Sequence, residues 1–141
     1  MKIPFEHFAS GENLYTRVVA PVCEKHGLTY MEFTIVMFLA NNPQFDTASQ
    51  IVKIRHLTKS HVSVSARALQ ERGLLHGEYR NHDHRTVHLT LDAAAEPIIR
   101  DGRAAQKKFG EIIFEDFSAE ERQLLGQYID RIDENIRKHS N

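Results

Sequence analysis

The stretch from Thr47 to Leu91 narrows the possible folds more than any other part of the chain, because it stops and restarts secondary structure at short intervals. Thr47-Ala48-Ser49-Gln50 has the Thr-x-x-Gln form of a capping box, in which the cap and the third helical residue satisfy each other's backbone N–H groups. It opens a short helix to about Arg55, with Ala48, Ile51 and Ile54 turned inward. His56-Leu57-Thr58 reads as a tight break. Thr58 or Ser60 then caps a second helix to about Gln70, and Gly73 stops it. Val62, Ala66 and Leu69 recur at helical spacing as an inner face, while Ser60, Ser63, Val64 and Arg67 form a separate outer face. Leu74 to Tyr79 reads as a strand, residues 80–85 as a polar turn, and Thr86 to Leu91 as an alternating, β-branched returning strand.

The flanks are helical. Leu14, Val18 and Val22, with Tyr15 and Val19 beside them, give residues from about Ser10 to Lys25 one apolar face, with Ser10 as a possible cap. Pro21 should kink this helix or end its regular part, and His26-Gly27 stops it. Thr29-x-x-Glu32 is a capping box ahead of Phe33–Ala40, which is apolar nearly all round and belongs deep in a core. Asn41-Asn42-Pro43 ends that helix. Asp92 should cap a long helical region to about Glu115, with Pro97 near its start. Gly102 and Gly110 each weaken it by about 1 kcal/mol relative to alanine and would let another helix approach closely. Ser118-x-x-Glu121 opens a final helix whose Leu124, Leu125, Tyr128, Ile129, Ile132 and Ile136 line one face.

Several classes drop out on composition. The first eight residues contain no apolar run of signal-peptide kind. The longest apolar stretch is far short of the ~20 residues that span a bilayer, so a cytoplasmic protein with no membrane partner is expected. A single cysteine in 141 residues rules out an intramolecular disulfide. There is no Gly-x-Ser-x-Gly, no His-Glu-x-x-His and no glycine-rich phosphate loop, which argues against an enzyme. The net charge of −1 looks neutral on function, but it is unevenly shared. Residues 47–91 hold seven Lys and Arg against three Asp and Glu, a net of +4, which leaves −5 for the rest.

The segment Ile54–Leu91 resembles the winged helix-turn-helix of the multiple antibiotic resistance regulator (MarR) family. The likeness is carried by Lys59-Ser60-His61-Val62-Ser63, by Leu69-Gln70-Glu71-Arg72-Gly73-Leu74-Leu75, and by Asp83-His84-Arg85 in the turn. The strand Val87–Leu91 leading into a helix, and the helices at both chain ends, complete it. Two positions depart: Val64 stands where the family often has Arg, and the turn before Asp83 is short and lacks the family's common proline. The resemblance implies a mainly α fold with a small two-stranded β-wing. Residues 29–91 would form the winged helix-turn-helix, flanked by dimerisation helices at 1–28 and 92–141.

The function implied is a DNA-binding transcriptional regulator, a ligand-responsive repressor that binds a palindromic operator as a homodimer. An α-helix fits the major groove, and its first turns reach base edges. Ser60, His61, Ser63, Val64 and Arg67 are the candidates, with Lys59 suited to a phosphate and Val64 to a thymine methyl. The resemblance implies that Arg85 enters the minor groove from the ribbon tip and that Asp83 orients it through a carboxylate–guanidinium bond. Leu14, Val18, Leu125, Ile129, Ile132 and Ile136 are the candidate dimer interface.

Six of nine histidines lie in the same basic segment: His56, His61, His76, His82, His84 and His88. No Cys or Glu completes a tetrahedral set around His82, His84 and His88, so structural or DNA-contacting roles are expected rather than a metal site. Imidazoles near a polyanion protonate more readily, so DNA affinity should rise as pH falls from about 8 to 6. Cys23 has little to activate it and reads as a packed thiol. No bound cofactor is expected. A small aromatic effector is implied between the dimer helices and the winged domain, with His26, Tyr30 and Arg17 as candidate walls. The alternatives are a winged helix that binds another protein, or a metal- or redox-responsive variant of the same regulator.

Overall fold

The computed structural model describes residues 5–140. The elements run α1 (Phe5–His26), α2 (Tyr30–Asn41), α3 (Ala48–Arg55), α4 (Lys59–Glu71), β1 (Leu75–Arg80) and β2 (Asp83–Leu91). A 3-10 turn (Ala93–Ala95), α5 (Glu96–Ile113) and α6 (Ala119–His139) follow. The fold is thus mainly α with a two-stranded antiparallel wing. No helix among the described residues is long and apolar enough to cross a membrane. The chain divides into two compact units, residues 1–109 and 110–141.

The first unit is built around α2. Its Phe33, Ile35 and Val36 are fully buried, which is why this helix tolerates an apolar surface all round. Val19 and Val22 of α1, Ile51 of α3, Val62 and Leu69 of α4 and Ile98 and Ile99 of α5 join the same core. The capping boxes at Thr29/Glu32 and Thr47/Gln50 both form.

Several expectations need correction. Ser10 lies inside α1 and does not cap it, and α1 continues through Pro21, which sits on its exposed side. Ile54 is not turned inward: it is 42% exposed, because the side of α3 that packs on the core carries Ala48, Ile51 and Val52, and Ile54 falls at its edge. On α4, Ser65 takes the buried place between Val62 and Leu69, and Ala66 is only half-buried. Asp92 makes no capping bond, since its carboxylate meets His76 Nδ1 at 2.6 Å and a 3-10 turn precedes α5. Of the two α5 glycines, only Gly102 admits a close neighbour. A Cβ there would overlap Met37 Sδ of α2 and come within 3.1 Å of Phe33 Cε2, whereas one at Gly110 meets open space.

The turn of the wing is tighter than residues 80–85. Only Asn81 and His82 lie outside the strands, both at positive φ (53° and 61°), the pattern of a two-residue hairpin turn of the I′ kind. The loop between α2 and α3 is tied to the wing by Leu89 N–H donating to the Asp46 carbonyl at 2.7 Å.

Candidate nucleic-acid interface

Helix α4 begins at Thr58, whose hydroxyl accepts the His61 N–H at 3.3 Å. This satisfies one of the open N–H groups of the first turn and leaves a weak positive pole there. Lys59, Ser60, His61, Ser63, Val64 and Arg67 are all exposed, and Val64 is 66% exposed. The outer face read from the sequence is therefore an open, contiguous surface of α4.

The cations of the basic segment fall into two kinds. Arg72 and Arg80 fasten the fold. Arg72 donates to the His26 and Gly27 carbonyls at 2.7 and 3.0 Å, closing the end of α1. Arg80 holds Asp46 at 2.7 Å and Glu78 at 2.9 Å. By contrast, Lys53, Lys59 and Arg67 have no hydrogen-bond or ion-pair partner among the described residues. An exposed cation with no protein partner is free to meet a phosphate.

The Arg85 side chain is 97% exposed. Asp83 meets its guanidinium only as a long ion pair, with Nε 3.9 Å from Oδ1, beyond the hydrogen-bond reach expected of an orienting contact. The same oxygen instead accepts the Arg85 backbone N–H at 2.9 Å. The tight turn makes Asp83 the first residue of β2, where an Asp readily closes on the backbone two residues on.

Sequence reasoning missed Asp46, a loop residue with no periodic pattern around it. Its carboxylate takes His88 Nδ1 at 2.8 Å from β2 and Arg80 from β1. Burial pushes the Asp46 carboxyl up, but the bonds to His88 and Arg80 outweigh it and hold the group below its ordinary value. Asp101 of α5 plays a similar part at α1. Bonds from Lys25 and His26, each at 2.8 Å, hold it well below the usual carboxylate range.

The histidines go separate ways. His76 meets Asp92, His88 meets Asp46, His84 lies against Tyr79, and His56 and His82 occupy left-handed turn positions. No group of three or more His, Cys, Asp or Glu side chains converges among the described residues. Cys23 is buried, and burial pushes its thiol up, away from the reactive thiolate.

A cavity of about 390 Å³ opens beside α1, α2 and α5, lined among others by Glu12, Tyr15, Tyr30, Phe38, Arg55 and Phe109. Tyr15 Oη accepts from Gln106 Nε2 at 2.9 Å, and burial raises its phenol. Of the expected wall residues only Tyr30 lines this cavity. His26 is engaged by Asp101, and Arg17 is exposed away from it.

In the second unit no residue of α6 is buried. Leu125, Ile129, Ile132 and Ile136 are 37%, 49%, 57% and 56% exposed, so the stripe has no cover within its own unit. Leu14 is half-buried, and Val18 packs partly against the core of the first unit.

The MarR family model matches residues 26–86, which span α2 to the start of β2 and so take in the exposed face of α4 and the wing tip. Solved structures share the fold over nearly the whole chain. A MarR-family regulator from Silicibacter pomeroyi is 18% identical, with 95% of this chain and 90% of that one covered and a TM-score of 0.76. A putative MarR-family regulator from Listeria monocytogenes, complexed with 26mer DNA, is 14% identical, with 96% and 89% covered and a TM-score of 0.77. Staphylococcus aureus MarR, in complex with salicylate and kanamycin, is 23% identical, with 96% and 91% covered and a TM-score of 0.73. At these identities the likeness establishes the fold. A search of curated proteins finds no match.

Proposed function

We propose, from the premise that residues 26–86 belong to the MarR family, that this chain is a sequence-specific DNA-binding transcriptional regulator. The observation that carries this reading is the outer face of α4, where Lys59 and Arg67 flank Ser60, Ser63 and Val64 with nothing of the protein covering them. Arg67 suits a guanine edge or a phosphate, and Val64 suits a thymine methyl. The DNA complex of the Listeria protein supports duplex DNA as the partner. A homodimer on a palindrome follows from the uncovered stripe of α6, since two-fold proteins read two-fold sites. Occupying a promoter excludes polymerase without further machinery, which makes repression the simplest output.

The test is selection of duplexes from a random pool, then a salt titration of the winners. Specific binding should yield a two-fold symmetric consensus and an affinity that falls steeply with salt. Failure to enrich any duplex, or a salt-independent affinity, overturns the reading and favours a winged helix that binds another protein.

The cavity beside Tyr15 and Tyr30 favours a ligand-responsive form of this regulator. Its aromatic lining, with Arg55 at the wall, suits an aromatic acid, and the salicylate complex of the Staphylococcus protein is in keeping with that. Salicylate should weaken DNA binding by the wild-type chain and lose its effect in Arg55→Ala.

A further inference from the structure

The wing departs from a plain two-stranded ribbon in one place. Glu78 faces His88, yet Arg80 faces Asp83, so β2 places His84, Arg85, Thr86 and Val87 opposite Tyr79 alone. Bulges of this kind re-aim side chains and increase local twist. Three contacts hold this one. The rings of Tyr79 and His84 lie 5.0 Å apart at 58°. Val87 Cγ1 comes within 2.6 Å of where a Cβ on Gly77 would sit, so Val87 of β2 occupies the space that a side chain on β1 would take there. Asp83 fixes the backbone N–H of Arg85. His84 is thus held against a ring immediately before the most exposed cation of the wing.

We propose that His84 is a second DNA-contacting side chain of the wing, that Tyr79 is its positioning residue, and that the proton of His84 makes DNA binding pH-dependent. The proposal rests on the DNA-binding reading above. The titratable group packed on His84 is Tyr79 of β1; Asp83 and Arg85 adjoin it along its own strand, and His82 stands two residues before it in the turn. An imidazole changes charge between about pH 8 and pH 5. Of the wing's other imidazoles, His76 is engaged by Asp92 and His88 by Asp46, which leaves His82 in the turn as the one to separate from His84 by substitution. When charged, it is drawn to phosphates and to the negative potential of a narrow minor groove, which favours Arg and His alike. A charged His84 would therefore add a second exposed cation beside Arg85.

Salt dependence separates this from a general effect of pH on stability. Each cation–phosphate contact adds about 0.9 to the slope of log affinity against log salt. With a duplex selected by the wild-type protein, the slope at about pH 6 should be steeper than at about pH 8 by about 0.9 per wing. His84→Gln should show one slope at both pH values. Tyr79→Leu should lose most of the difference, and Tyr79→Phe, which keeps the ring, should retain it. Arg85→Ala should bind more weakly at both pH values and still show the difference. His61→Gln and His82→Gln should also retain it. A wild-type slope that is the same at both pH values overturns the proposal. So does a difference that survives His84→Gln or vanishes in His61→Gln. Failure to select any duplex overturns the DNA-binding reading itself and takes this proposal with it.

Discussion

Single residues of the wing divide into those that meet DNA in the proposed function and those that hold the wing for them. Arg85 is of the first kind, and Arg85→Ala should lower affinity for a selected duplex at least about tenfold, the effect of losing one strong cationic contact, with the fold unchanged. A gel-shift titration beside circular dichroism checks both halves. Asp83→Ala should cost less, because its carboxylate holds the Arg85 backbone N–H at 2.9 Å and meets the guanidinium only at 3.9 Å. Asp46 is of the second kind. It touches both strands at once, and Asp46→Asn should lower stability to urea by about 1–2 kcal/mol, discounted for the half-exposed Arg80. The carboxyl is held below its ordinary value, so its contribution is fully present above about pH 4 and is lost as pH falls through the lowered value. The stability gap between wild type and variant should accordingly persist down to about pH 4 and close below it, and a gap that widens in acid would be the wrong sign.

At the scale of elements, what the sequence made legible is what short-range chemistry decides. The boxes at Thr29, Thr47 and Ser118 each need only two side chains three residues apart, and all three form. The open face of α4 was legible because periodicity alone separates it from Val62 and Leu69. Features that depend on distant partners were not. Asp92 looks like a cap until His76, sixteen residues earlier, claims its carboxylate. The cavity walls come from Tyr15, Tyr30 and Phe109, which no local pattern brings together. The α5 glycines show the same limit and offer a paired test. Gly102→Ala forces a methyl against Met37 and Phe33 in a full core and should destabilise by about 1–3 kcal/mol. Gly110→Ala meets open space and should stabilise by about 0.5–1 kcal/mol through helix propensity. Urea midpoints moving the same way for both would mean that helix propensity, and not packing, governs α5.

At the scale of the whole molecule, charge and apolar surface are parcelled out between the two units. The first holds fourteen Lys and Arg against eleven Asp and Glu, a net of +3, and the second four against eight, a net of −4. The acidic unit also carries the uncovered stripe of α6. Acidic surroundings repel a polyanion, so this unit is a poor candidate to bind DNA, whereas apolar side chains at helical spacing suit a second copy of the same helix. Ile132 lies on that stripe at 57% exposure, so a charge placed there disturbs no packing within its unit. Ile132→Glu should therefore yield a folded monomer by sedimentation, with unfolding of the first unit unaffected. Its effect on DNA binding can be given as a slope. If Lys59, Arg67 and Arg85 each meet DNA, a dimer makes six such contacts and its log affinity should fall with log salt at about −5. The monomer keeps three and should fall at about −3 on the same duplex. A variant that remains dimeric would remove α6 from the interface. A monomer that keeps the full slope would mean that one subunit alone makes all the phosphate contacts.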